Sequence, residues 1–194
     1  EDCAQAHGAM YKGKPVGGIG HVGSWSFCQD KIMTTGGEGG MVTCNDEMLW
    51  SRMWSSKEHG KNWEEIVKNR TSDGFSWIHD SFGGNGRMTE MQAAIGRIQL
   101  GRMSKWHARR KANAEKLITA LSESRLLRIP VPPSDVEHAW YKFTVFLCPD
   151  NLATGWGRER IMKEINSLGI TCRVGPCPEV YLEKAFDDTG YRPE

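Results

Sequence analysis

Hydrophobic and polar positions along this chain fall into short blocks separated by glycine. Residues 21–28 are rich in aromatics and bounded by glycine clusters, which predicts a short buried strand. Residues 40–44 predict a second strand that ends at the turn pair Asn45 and Asp46. Residues 47–58 fit a helix with Met48, Leu49 and Met53 inward, and 61–86 reads as loop with short helical pieces. The clearest helix signal begins at Thr89, where Thr89 and Gln92 match a capping box that satisfies orphan amides reciprocally. Met88, Met91, Ile95 and Ile98 then recur at steps of three and four, one helical face. Gly96 and Gly101 each cost about 1 kcal/mol relative to alanine in a helix interior, so they predict close packing or a kink near 101. Helix resumes through Leu117, Ile118 and Leu121.

Residues 129–133, with three prolines, predict a stiff extended connector. Beyond it, Tyr141, Phe143, Val145 and Leu147 alternate as on a half-buried antiparallel strand at 138–147. Ile161, Ile165 and Leu168 mark a helix stopped by Gly169, followed by a strand at 170–174. The expected organisation is a larger domain over 1–128 and a smaller one over 134–194, the latter containing a β-α-β unit.

Composition narrows the function classes. The 194 residues carry 25 basic and 24 acidic side chains, a net charge of +1 that gives no electrostatic case for nucleic acid or a membrane surface. No run approaches the ~18 apolar residues of a membrane span, and no signal-peptide pattern is visible. Cys3, Cys28, Cys44, Cys148, Cys172 and Cys177 form no CxxC pair, which argues against a metal site and for reduced thiols in a cytoplasmic setting. The chain opens at Glu1 without an initiator methionine, directly inside a motif-like stretch, and reads as a piece of a longer protein. Of 22 glycines, 17 lie in the first 101 residues, so tight turns and close backbone approach belong to that part.

Two glycine motifs fail on context. The stretch from Gly8 to Lys14 matches GxxxxGK, but Pro15 follows where a phosphate loop needs a hydroxyl and a helix start. Gly18, Gly20 and Gly23 match GxGxxG, but the residues after them read as strand, not as the helix a dinucleotide site requires.

The remaining constellation centres on Lys31, five residues past Ser26 and at the edge of the glycine-rich segment 36–40. A lysine at the end of a buried strand can point into a cavity and serve as an amine nucleophile for Schiff-base chemistry with pyridoxal phosphate (PLP). Asp2 and Gln5 could supply the carboxylate and ring contact that cofactor needs, and Ser26 a phosphate hydroxyl. Each also has a bland reading: a turn carboxylate, an exposed amide, a strand-end hydroxyl.

Four ordered motifs closely resemble the PLP-dependent nucleotide-sugar aminotransferases of the DegT/DnrJ/StrS type. They are residues 1–9, Ser26 to Lys31, Gly37 to Gly40, and 84–94 with Asn85, Met88 and Gln92. The resemblance is strong to about Leu100 and looser after it. It implies a fold type I α/β PLP-dependent transferase: part of the large mixed-sheet domain plus part of a small α+β C-terminal domain. It implies that Lys31 carries the cofactor covalently and shuttles the proton, that Asp2 pairs with the pyridinium nitrogen, and that Gln5 lies against the ring or its hydroxyl. Ser26 would bind the phosphate, and Asn85 would reach the phosphate of the partner subunit's cofactor across a homodimer interface. The implied reaction moves an amino group from an amino acid, glutamate expected, to a nucleotide-linked keto sugar. The chain departs from the family pattern in one extra glycine after Lys31 and in lacking the N-terminal phosphate loop and ring-stacking group. Alternatives are a PLP-dependent sugar dehydratase (against which Lys31 argues), a PLP-binding regulator without turnover, and, remotely, a dinucleotide-binding oxidoreductase.

Overall fold

The computed structural model describes residues 1–68, 74–175 and 179–192. The stretch that matches GxxxxGK is an antiparallel hairpin of β1 (Met10–Tyr11) and β2 (Lys14–Pro15), turning through Lys12 and Gly13 at positive φ. A chain that turns back on itself here offers no helix N-terminus to a phosphate. β3 (Gly23–Ser26) and β4 (Gly40–Thr43) pair antiparallel, Trp25 opposite Met41, as the two glycine-bounded blocks lead one to expect. Asp46 then caps α1 (Glu47–Lys57), its carboxylate accepting the Leu49 N–H at 2.8 Å. Inside 61–86 the helical piece is α2 (Trp63–Lys68), held to α1 by edge-on contacts of Trp63 with Trp50 and Trp54.

α3 (Glu90–Leu100) starts with both bonds of the capping box at Thr89 and Gln92. It ends at Gly101, and α4 (Met103–Leu121) continues after that break. Gly96 is buried because a Cβ there would stand 3.0 Å from the Thr35 methyl, so the glycine serves close packing. The apolar stripe of α3 is less buried than its spacing suggests: Met91, Ile95 and Ile98 are exposed.

The rest of the chain comprises β5 (Leu127–Arg128), β6 (Val136–Glu137), β7 (Phe146–Leu147) and α5 (Arg158–Ser167), with short 3-10 turns. Residue contacts sort the molecule into Glu1–Ala120 with Val131–Phe143, and Leu121–Pro130 with Thr144–Glu194. These units run differently from a single boundary at 129–133. β6 pairs with β1 in the first unit, completing the sheet β2-β1-β6, while β5 pairs with β7 in the second.

Two expected strands are not formed. In 138–147 only Phe146–Leu147 is strand. The carbonyls of His138, Trp140 and Tyr141 face side chains of α4, His107 at 3.1 Å and Arg110 at 3.1 and 3.2 Å. Backbone groups committed to side chains cannot join a ladder. Residues 170–174 likewise carry no strand, so there is no β-α-β unit. Asn166 accepts the Cys172 N–H at 3.0 Å and donates to the Cys172 carbonyl at 2.8 Å. The stop at Gly169 is formed as expected, with φ at +78°.

Candidate active site

The site grows from a parallel bridge between Asp2 and Ser24, closed by Cys3 N–H to Ser24 O at 2.8 Å and Ser24 N–H to Glu1 O at 2.9 Å. That pairing lays the Asp2 carboxylate beside β3, two residues from Ser26. Asp2 Oδ1 accepts the Ala4 N–H at 3.0 Å, the turn bond its bland reading foresees, while among the described residues Oδ2 accepts nothing. Ser26 is half-buried at the end of β3, its hydroxyl oxygen accepting a long 3.4 Å bond from Cys28 N–H. Gln5 is exposed at the turn after Asp2. Asp2, Ser26 and Lys31 thus come from one strand pair and the loop that leaves it.

That loop is clamped from both sides. Phe27 N–H bonds Gly39 O at 2.8 Å, and Ile32, Met33 and Thr35 are buried. Two amides of α3 hold it from outside: Gln92 donates to Glu38 O at 2.7 Å, and Gln99 accepts the Thr34 N–H at 2.9 Å. Gln92 therefore caps its helix and ties down the glycine segment at once. Gly36 and Gly37 adopt positive φ, which lets the chain reverse between Lys31 and β4.

The sequence conceals what faces Lys31. The ammonium lies 5.2 Å from the centre of the Tyr141 ring, and the Tyr141 hydroxyl donates to Asp30 Oδ2 at 2.5 Å. Burial, then the bond to Asp30, push the phenol up to about 12. The same bond holds the Asp30 carboxyl below its ordinary range. Spacing cannot disclose a contact 111 residues apart.

Asn85 is not part of this group. It forms a bridge with Glu58, and its amide oxygen accepts from Arg87 Nε at 3.1 Å. The buried Glu58 carboxylate accepts from Lys57 Nζ at 2.6 Å and lies 3.5 Å from Arg87 Nε, which keeps its pKa low. Arg87 thus orients the amide, leaving the Asn85 NH₂ as the group free to donate outward.

Two amides of the GxGxxG stretch, with that of Gly17 just before it, are bonded within the chain. Glu1 accepts from Gly17, Ile19 and Gly20 N–H at 2.8, 2.9 and 2.6 Å, bonds that lower its pKa. The stretch then enters β3, so an anion nest exists, but a carboxylate of this chain fills it. The dinucleotide reading falls on that geometry.

A family model described as the DegT/DnrJ/EryC1/StrS aminotransferase family matches residues 1–194. The chain belongs to this family. The solved structure titled as the aminotransferase from Psychrobacter cryohalolentis superposes at TM-score 0.94 with 56% identity, over 100% of this chain and 51% of that one. DesV of S. venezuelae, solved in complex with a ketimine intermediate, superposes at TM-score 0.78 with 30% identity over 99% of this chain and 46% of its own. The GDP-perosamine synthase of Caulobacter vibrioides is 34% identical over 184 residues, 89% of this chain and 43% of the relative. These likenesses establish the expected fold type I α/β class as a partial chain. The chain spans between about a third and a half of the length of such relatives.

The residues present fit an aldehyde cofactor such as PLP on their own chemistry. A carboxylate with an open oxygen, a strand-end hydroxyl and a primary amine come from β3, its bridge to Asp2 and the loop after it. Three residues past Lys31, the buried Thr34 Oγ1 has no hydrogen-bond partner among the described residues. His7, 4% exposed, lies against Trp25 and Phe27, and among the described residues neither ring nitrogen has a partner within hydrogen-bond geometry. Burial pushes its pKa below the ordinary value; the nearby Ser26 backbone opposes this, and the Lys31 charge adds to the fall. A depressed folded pKa means that the unfolded chain binds the proton more readily. This contribution to stability is complete above the unfolded pKa of about 6.5 and is lost as pH falls through the lower folded value. Urea midpoints measured at pH 7.5 and 5.5 are expected to drop for the native chain and to drop less for His7→Leu. Equal drops would show that His7 does not carry the acid sensitivity.

Proposed function

We propose that this chain forms the lysine-bearing part of a PLP-dependent aminotransferase that passes an amino group from an amino acid, glutamate first, to a nucleotide-linked keto sugar. One observation supports the reading: the Asp2–Ser24 bridge puts the Asp2 carboxylate beside the strand that ends at Ser26, five residues before Lys31. Bound there, PLP supplies an electron sink for the carbon that bears the transferred nitrogen. The Asp2 carboxylate keeps a proton on the ring nitrogen, because a negative charge within ~4–6 Å favours the protonated form. Ser26 donates to phosphate, and Gln5 lies against the ring. Lys31 binds the cofactor and, once free, carries the proton between carbons as a general acid and base. A cytoplasmic homodimer is proposed as the working unit, with Asn85 serving the neighbouring subunit's cofactor. The exposed Asn85 amide, whose oxygen is taken by Arg87 and whose NH₂ is unbonded among the described residues, supports that part.

The acceptor class rests on names borne by relatives. One is a dTDP-3-amino-3,4,6-trideoxy-alpha-D-glucose transaminase of Streptomyces venezuelae, 33% identical over 145 residues, and the Caulobacter enzyme is named for a GDP sugar. A regulatory role without turnover is the second reading, favoured by the name of EryC1 of Saccharopolyspora erythraea, a sensory transduction protein 27% identical over 193 residues. Borohydride reduction of the full-length protein with PLP is expected to leave a pyridoxyl group on Lys31 by peptide mapping. Its aminated form should then discharge to nucleotide keto sugars. A label on Lys12, Lys14 or Lys57 overturns the site. A Lys31 label without turnover of any acceptor selects the regulatory reading.

A further inference from the structure

Asp30 is the nearest carboxylate in sequence to Lys31, and an ion pair between them would hold the amine protonated and occupied. Among the described residues no such pair forms. Asp30 Oδ2 instead takes the Tyr141 hydroxyl at 2.5 Å, and the Lys31 ammonium lies over the Tyr141 ring, 5.2 Å from its centre. The tyrosine is held there by more than that bond. Arg110 donates to the carbonyls of Trp140 and Tyr141 at 3.1 and 3.2 Å. Trp140 N–H bonds His138 Nδ1 at 3.1 Å, and Trp140 has a φ of +51°. A bulky residue in the left-handed region persists only where the surroundings hold it. Several independent tethers thus aim one phenol at one carboxylate.

We propose that Tyr141 is a positioning residue that keeps Asp30 off Lys31. Its hydroxyl occupies the carboxylate, and its ring face offers the ammonium a weaker seat that the lysine can leave. A ring contact is worth less than a charge-assisted bond to a carboxylate, so the amine stays available. Lys142 Nζ, 4.7 Å from the same ring centre, and the Cys28 thiol near Asp30 complete the polar surroundings. The inference rests on the reading of Lys31 as the cofactor lysine.

The test is trace acetylation of amines in the full-length protein, read at each lysine by mass spectrometry. It is run on cofactor-free protein and on protein loaded with pyridoxamine phosphate, which is not bonded to a lysine. Tyr141→Phe keeps the ring and frees Asp30, so Lys31 is expected to label about two- to fivefold more slowly, the scale of an accessible ion pair. Tyr141→Phe combined with Asp30→Asn should restore the native rate, while Lys14 and Lys111 stay unchanged throughout. An unchanged or faster Lys31 in Tyr141→Phe overturns the proposal. So does slowing that Asp30→Asn fails to reverse, since that marks a general structural defect. Failure of pyridoxamine phosphate to bind, or a pyridoxyl label on another lysine, instead removes the cofactor reading and leaves these labelling rates as measured.

Discussion

Full-length protein carrying Lys31→Ala is expected to lose transamination by about 10²- to 10⁴-fold, the range that a positioned general acid and base contributes. The loss should fall on the rate, because the other proposed contacts to the cofactor come from Asp2, Gln5, Ser26 and Asn85. Mixing this variant with Asn85→Ala asks whether those contacts belong to one subunit. If Asn85 serves the neighbour, a mixed dimer has one site with both residues intact and one with neither. Random exchange makes about half the dimers mixed, so activity should recover to roughly a quarter of native. If Asn85 acts within its own chain, every site lacks one residue and nothing recovers. Gel filtration of the mixture checks that subunits have exchanged.

Gly23→Ala is expected to destabilise the protein by about 3 kcal/mol, at the upper end of overpacking costs. The glycine begins β3, and a Cβ there would stand 2.6 Å from Gly17 Cα, 2.8 Å from Gly17 O and 2.7 Å from Thr43 Oγ1. Two of those atoms are backbone and have little room to retreat. Gly17 O accepts from Thr43 Oγ1 at 2.6 Å, its N–H is held by Glu1, and its φ of +87° suits glycine. Displacing that loop pulls on Glu1 and so on the Asp2–Ser24 bridge next to it, which couples the stability loss to the site. Urea unfolding at neutral pH measures it, and a change below about 0.5 kcal/mol would mean that the loop simply moves aside.

Local chemistry was legible wherever neighbours in sequence are neighbours in space. The Thr89–Gln92 box, the break at Gly101 and the stop at Gly169 each involve groups a few residues apart, and each formed as its residues dictate. The strand over 138–147 failed for the opposite reason. Alternation records which positions tolerate burial but not which partner takes the backbone, and here His107 and Arg110 took the carbonyls. The strand at 170–174 was lost in the same way to a single asparagine.

The order of motifs around Asp2, Ser26 and Lys31 already marked the family, because the lysine, carboxylate and hydroxyl that carry the resemblance are written within about thirty residues. Tertiary structure alone decided what those residues meet. It bonded the Ile19 and Gly20 amides to Glu1, gave Gln92 a second bond at Glu38, and brought Tyr141 against both Asp30 and Lys31. Side chains with more than one possible partner are settled by which partner folding brings within about 3 Å, a distance that no spacing along the chain encodes.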